Sequence, residues 1–192
     1  MDNKSRQKCL SILERTEYFD DEGEWRIAGA DWLLMSGSTL RSWAKMTEQI
    51  VGSSSKAVMY AAGTNAGDQF AKTLRRDGLN DEELKYALEV FMTNGGWGKV
   101  RAELNFQDQI AVIRIHNSVT TRGTKAKEPV CHYISGYIAG ALSVIFGKKI
   151  DCIETSCKAK GDAFCEFRAV NLAAVEDPSL EKGEEQSAGN TR

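Results

Sequence analysis

A chain of 192 residues is long enough for one domain with a sizeable core and short for two. Its composition, 42% apolar and 27% charged, excludes disordered and fibrous classes, and a net charge of -2 supplies no basic excess for gripping nucleic acid. No run approaches the roughly 18 apolar residues of a membrane span, and the polar stretch 1–15 lacks the apolar core of a secretory signal. The expectation is a cytoplasmic protein without membrane span or direct nucleic-acid contact.

Residues 1–24 carry a weak helical pattern (Cys9, Leu10, Ile12, Leu13) and an acidic patch (Asp20, Asp21, Glu22, Glu24), and read as an N-terminal arm. Residues 25–35 are apolar and β-compatible, and Ser36-Gly37-Ser38 reads as a turn into a helix cap. Leu40, Trp43, Thr47, Ile50 and Val51 then fall at helical spacing and predict a helix over 39–51. A second helix, 56–76, follows the serines 53–55. Its Gly63 and Gly67 lie on one face, where they serve either close packing against a neighbour or a gap for a ligand.

Asn80 and Glu83 form a capping-box signature for a helix over 81–93, with Leu84, Leu88 and Phe91 as its buried stripe and Asn94-Gly95-Gly96 as its stop. The period then changes from helical to alternating, which predicts antiparallel strands over 97–106 and 110–116. A polar loop, 120–127, leads to Glu128-Pro129, and proline at a first helical position predicts a helix over 129–146. A hairpin follows, 149–155 with 163–170, turning at Gly161-Asp162. After Ala174 the chain is mostly Glu, Gly, Ser, Asn and Asp, so 175–192 is expected to be a disordered acidic tail. These elements make an α+β fold, an antiparallel sheet packed with helices, over 25–174.

Four of the five cysteines lie between positions 131 and 165. Five cysteines in a reducing compartment suit thiols or metal ligands better than disulfides. Alternation puts Ile150, Cys152 and Glu154 on one strand face, and Cys165 shares the apolar face of the next strand with Phe167. A buried glutamate there is costly unless a cation meets it. Cys131, Glu154, Cys157 and Cys165 are therefore the candidate zinc ligands, and buried cysteine as a small apolar filler is the alternative. Four protein ligands leave no open position for water, which makes such a zinc structural and not catalytic.

Cys152 reads as a strand-interior thiol, and His132, about 100° around the helix from Cys131, does not read as a ligand. His116 ends a strand, as a pocket group or a surface one. Tyr60, Phe91, Trp97, Phe106, Tyr133 and Tyr137 are core residues by default or the lining of an apolar pocket. There is no Gly-x-Ser-x-Gly, phosphate loop or dinucleotide fingerprint, so an enzyme is not the favoured reading.

Glu128-Pro129-Val130-Cys131, Gly136-Tyr137-x-x-Gly140, Gly147-Lys148, Glu154-x-x-Cys157, Gly161-Asp162 and Cys165-x-Phe167 resemble the four-vinyl-reductase-type domain, with Tyr60-x-x-Gly63-x-x-x-Gly67 a looser match. That family includes the sensor domains of phenol- and xylene-responsive activators and stand-alone archaeal hydrocarbon-binding proteins. The resemblance implies a fold shared with NO-signalling and Golgi-transport (TRAPP-like) proteins, a homodimer, an apolar pocket and a structural zinc on Cys131, Glu154, Cys157 and Cys165. It also places Val119 where the phenol sensors carry a tryptophan that helps hold the phenol hydroxyl, and valine cannot donate that hydrogen bond. The implied function is an aromatic-, hydrocarbon- or tetrapyrrole-binding sensor or carrier. The alternatives are an enzyme or accessory of tetrapyrrole (bacteriochlorophyll-type) metabolism and a protein-interaction subunit without ligand.

Overall fold

The change of period at Gly95-Gly96 marks where the molecule turns from helices to sheet. The computed structural model describes residues 3–19, 21 and 23–172, and the acidic tail expected over 175–192 lies outside them. In chain order it contains α1 (Asn3–Glu14), β1 (Glu17–Phe19), β2 (Glu24–Ile27), β3 (Ala30–Trp32), α2 (Gly37–Val51) and α3 (Ser55–Arg76). Then come α4 (Asp81–Asn94), β4 (Lys99–Asn105), β5 (Ile110–His116), α5 (His132–Phe146), β6 (Ile150–Ser156) and β7 (Cys165–Asn171). The fold is α+β. A small antiparallel meander, β1-β2-β3, stands apart from a four-stranded antiparallel sheet in the order β4-β5-β7-β6.

The main sheet shows the alternation that its sequence predicts. Val100, Ala111, Ile113, Ile115, Phe167 and Ala169 are buried on the inner face, while Arg114 pairs with Glu103 and Glu166 on the outer one. Both sheet edges are sealed by side chains from the helices. On β4 the amide of Val100 donates to Thr93 Oγ1 (3.1 Å) and that of Ala102 to Glu89 Oε1 (2.7 Å). On β6 the amide of Ile150 donates to Ser143 Oγ (3.1 Å) and that of Cys152 to Tyr60 Oη (3.1 Å).

α5 is apolar nearly all round because it lies between the inner sheet face and α3. The contact with α3 is backbone on backbone. A Cβ on Gly63 would sit 2.1 Å from the Tyr133 carbonyl, and one on Gly67 1.9 Å from that of Tyr137. Reciprocally, Cβ atoms on Gly136 and Gly140 would each come within 2.0 Å of the Tyr60 and Thr64 carbonyls. Of the two uses open to Gly63 and Gly67, close packing is the one realised.

The capping box on α4 forms as predicted: Glu83 N donates to Asn80 Oδ1 and Asn80 N donates to Glu83 Oε2. Three differences from the sequence reading have local causes. α1, within the stretch read as an arm, buries Cys9 and Ile12, and Lys8 and Arg15 pair with Glu83 and Asp77 on either side of them. The β-compatible run 25–35 is split into β2 and β3 by Ala28 and Gly29, both at positive φ (54° and 68°), as a two-residue hairpin turn requires. α5 starts at His132 and not at Pro129. Cys131 occupies its N-cap with φ -90° and ψ 36°, and the Cys131 amide is drawn to Glu154 Oε2 at 2.9 Å.

Candidate functional site

Four elements converge on one point. Cys131 caps α5, Glu154 projects inward from β6, Cys157 begins the loop after β6, and Cys165 is the first residue of β7. A bulge in β6 between Glu154 and Ser156 shifts the register there and lets the strand end turn the next cysteine inward. The four ligand atoms lie within 4.8 Å of one another, and all three cysteines are fully buried. Cys131 Sγ and Cys165 Sγ are 3.8 Å apart, and all five cysteines of the chain are free thiols.

The electrostatics of this cluster are unbalanced without a cation. Burial pushes the Glu154 carboxyl up to about 7. Contacts with Cys157 and Cys165, then burial, push the Cys131 thiol far up. Cys165 is favoured as thiolate by Cys131, but Cys157 and burial outweigh that and push it up to about 12. Cys157, receiving the others' hydrogen bonds, is pulled down. One thiolate thus takes up the charge that the cluster can bear. Glu154 Oε1 is buried and has no hydrogen-bond partner among the described residues. A divalent cation would give that oxygen a partner and let the remaining thiols ionise. Around the cluster, Thr120 Oγ1 lies 3.0 Å from Cys131 Sγ, and the Lys158 amide donates to Cys165 Sγ at 3.4 Å, contacts that suit sulfur carrying charge. This donor set fits a metal ion.

Further along α5 lies an apolar cavity of about 280 Å³. Its wall is built by Ala66, Gln69, Phe70, Thr73 and Leu74 of α3, Phe91 and Met92 of α4, Trp97, and Tyr137 of α5. Ile27, Ala28, Asp31, Trp32 and Leu33 roof it from the β2–β3 hairpin and the residue after it. The aromatic rings touch: Phe70 meets Phe91 edge-on at 5.4 Å, and Phe70 and Trp97 lie 5.5 and 5.4 Å from Tyr137. Tyr137 is 8% exposed, burial raises its phenol pKa well above the ordinary value, and its hydroxyl makes no hydrogen bond among the described residues. Asp31 is the one charged residue on the lining.

The residues singled out from the sequence are distributed as follows. Cys131, Glu154, Cys157 and Cys165 come together, and Phe91, Trp97 and Tyr137 line the cavity. Tyr133 stands behind the wall, stacked on Trp97 at 5.9 Å. Tyr60 belongs to a separate polar cleft near the cluster, where it donates to Asp151. Phe106 packs edge-on against Phe146, and His116 lies exposed against Phe164 at the end of β5. Val119 lies in the loop after β5 with its side chain against Gly37. The sequence reading overlooks Phe70, Gln69, Thr73 and the hairpin roof. For Phe70 the signal was available, since it shares a helix face with Gly63, Gly67 and Leu74.

Residues 111–171 match the four-vinyl-reductase-type domain family, a stretch that takes in all four cluster residues and, of the cavity lining, Tyr137. The chain is 30% identical over 118 residues to the uncharacterized protein MJ0150 of Methanocaldococcus jannaschii, a match covering 62% of this chain and 56% of that one. It therefore spans about half the length of that relative, and less of others from the same organism. Among solved structures, it is similar to the phenol-responsive sensory domain of the transcription activator PoxR with phenol, with 21% identity, coverage of 92% and 94% of the two chains and a TM-score of 0.75. It is also similar to a trafficking protein particle complex subunit 3 from Naegleria fowleri covalently bound to palmitic acid, with 14% identity, coverage of 88% and 96%, and a TM-score of 0.49. At these identities the likeness is one of fold. This chain carries a four-vinyl-reductase-type domain.

Proposed function

We propose that this protein is a non-enzymatic small-molecule-binding module, a sensor or carrier, whose ligand occupies the aromatic cavity and whose cavity wall is braced by a structural zinc. The observation that carries the reading is a buried tyrosine hydroxyl without a partner beside an otherwise apolar, ring-lined space. Such a cavity takes an apolar body and aligns one polar group. At about 280 Å³ it stands at the small end of ligand sites, roughly 300–1,000 Å³, which favours a compact aromatic or short hydrocarbon over a tetrapyrrole. With one carboxylate and no cationic side chain on the lining, a neutral ligand is preferred over an anionic one.

Cys131, Glu154, Cys157 and Cys165 would hold the zinc, since a thiolate-rich set suits that ion. When bound, it supplies charge neutralisation and a cross-link. The residues themselves tie the start of α5 to the β6–β7 hairpin, and α5 carries Tyr137 into the cavity wall. The interaction-subunit reading has one observation in its favour: Leu33, Leu34, Trp43, Met46 and Ile50 leave an apolar face uncovered around α2. In the reading proposed here, that face pairs with a second copy in a cytoplasmic homodimer.

Metal analysis and native mass spectrometry on protein purified without added metal test both halves. One zinc per chain and a co-purified or titratable small neutral aromatic, with phenol as the first probe, are expected. A folded, metal-free protein would overturn the zinc. Failure of a panel of neutral aromatics and alkanes to bind would overturn the ligand site.

A further inference from the structure

We infer that the segment over residues 117–121 couples the cavity wall to α2, with Val119 as the joint. This rests on the reading of the cavity as a ligand site and names how that site would be heard elsewhere in the molecule.

Val119 is tied in both directions. Its amide donates to the carbonyl of Trp97, a cavity-lining residue, at 2.8 Å. Its own carbonyl accepts from Arg41 Nη1 of α2 at 2.7 Å. Its side chain fills the space above Gly37, the first residue of α2, so closely that a Cβ there would lie 2.3 Å from Val119 Cγ2. A single residue therefore meets the cavity wall on one side and α2 at two points on the other.

The far side of the segment is anchored. Ser118 is fully buried, and Thr121 donates to its carbonyl through both the amide (3.2 Å) and the hydroxyl (3.0 Å). A hydroxyl chain, Ser118 Oγ to Thr120 Oγ1 at 2.9 Å and Thr120 Oγ1 to Cys131 Sγ at 3.0 Å, pins it to the cysteine cluster. The two ends that meet at Val119 are the yielding parts. Trp97 stands between Gly96 and Gly98, with φ of 83° and 143°, so its peptide can pivot where bulkier neighbours would hold it. In α2 the sole buried residue is Leu40, so little else fixes that helix. A ligand that favours one position of Trp97 draws the Val119 amide with it, and α2 follows through Arg41 and Gly37. The outward side of α2 carries Trp43, Met46 and Ile50, so the movement arrives at the exposed apolar face.

The test supplies its own cavity occupant. Ala66→Met extends a side chain into the cavity from α3, with Thr73→Leu as the second filling variant if the first does not fold. Hydrogen exchange is followed across α2 and across residues 91–98 in the wild type, the filled variant, Arg41→Ala, and the filled variant combined with Arg41→Ala. Lys45→Ala serves as the control on α2. Filling is expected to change exchange in the first half of α2 by about threefold or more. Arg41→Ala is expected to abolish that response while leaving the change at 91–98 in place. An unchanged α2 in a filled protein whose 91–98 segment does respond overturns the coupling, and so does a response that survives Arg41→Ala. Neither result depends on a ligand being found, so the coupling and the ligand-site reading can fail separately.

Discussion

The two ends of α5 solve opposite problems. At its start, three thiols and a carboxylate are crowded into a space where their charges cannot coexist unaided, and what is missing is positive charge. Further along the helix, Tyr137 faces an apolar space in which the packing is incomplete, and what is missing is matter of the right shape. Charge at the first end depends on every member of a small set. Shape at the second is shared among side chains from α3, α4, α5 and the hairpin, so each contributes a fraction. The difference teaches where substitutions act as switches and where they act by degrees.

The largest effect should come from Cys157→Ser. Metal content, measured by mass spectrometry, is expected to fall from one per chain to near none, with loss of cooperative thermal unfolding. A structural zinc can contribute about 10–16 kcal/mol, comparable to the whole stability of a domain. A Cys157→Ser variant that melts like the wild type would erase the contrast between the two ends. Next comes Gly67→Ala, whose added methyl has no room 1.9 Å from the Tyr137 carbonyl. It should cost about 3 kcal/mol in chemical denaturation, at the upper end for overpacking, and keep its metal. Metal loss in this variant would show that the two ends are not separable.

Tyr137→Phe sharpens the comparison from the other side. It removes a hydroxyl that has no partner in the protein, so stability and metal content should hold while calorimetric affinity for phenol falls about tenfold. An unchanged affinity would mean that the hydroxyl does not face the ligand. The smallest effect, remote from both ends, is that of Glu166 on the outer sheet face. Arg114 holds its carboxyl below the ordinary value of 4.5. Its contribution is therefore present above that value and lost as pH falls through the lower folded one. Glu166→Gln should flatten this acid limb of the stability profile slightly, and less so in high salt. An identical limb in the variant would count against the pair.

The same contrast governs what could be read in the sequence. Cysteine and buried glutamate are scarce and costly, so Cys131, Glu154, Cys157 and Cys165 could be assembled from spacing and strand alternation alone. Regular elements with clear punctuation, such as α4 between its capping box and Gly95-Gly96, were equally legible. The cavity was not, because Ala66, Thr73 and Met92 are common residues whose joint position depends on four elements meeting. The β2–β3 turn was hidden because alanine rarely takes the positive φ that Ala28 adopts. The start of α5 was misplaced because proline at 129 is a local signal, and the tertiary bond from Cys131 to Glu154 overrides it.

The sealed sheet edges carry a consequence for company. Many sheets recruit a partner by accepting one more strand, from a peptide tail or another copy, along unpaired edge amides. Here Thr93 and Glu89 occupy such amides on β4, and Ser143 and Tyr60 occupy them on β6. Each incoming strand would have to displace a helix side chain from bonds already made. Strand addition and edge-to-edge fibre growth are thereby disfavoured, and whatever this protein reports to must read its helices.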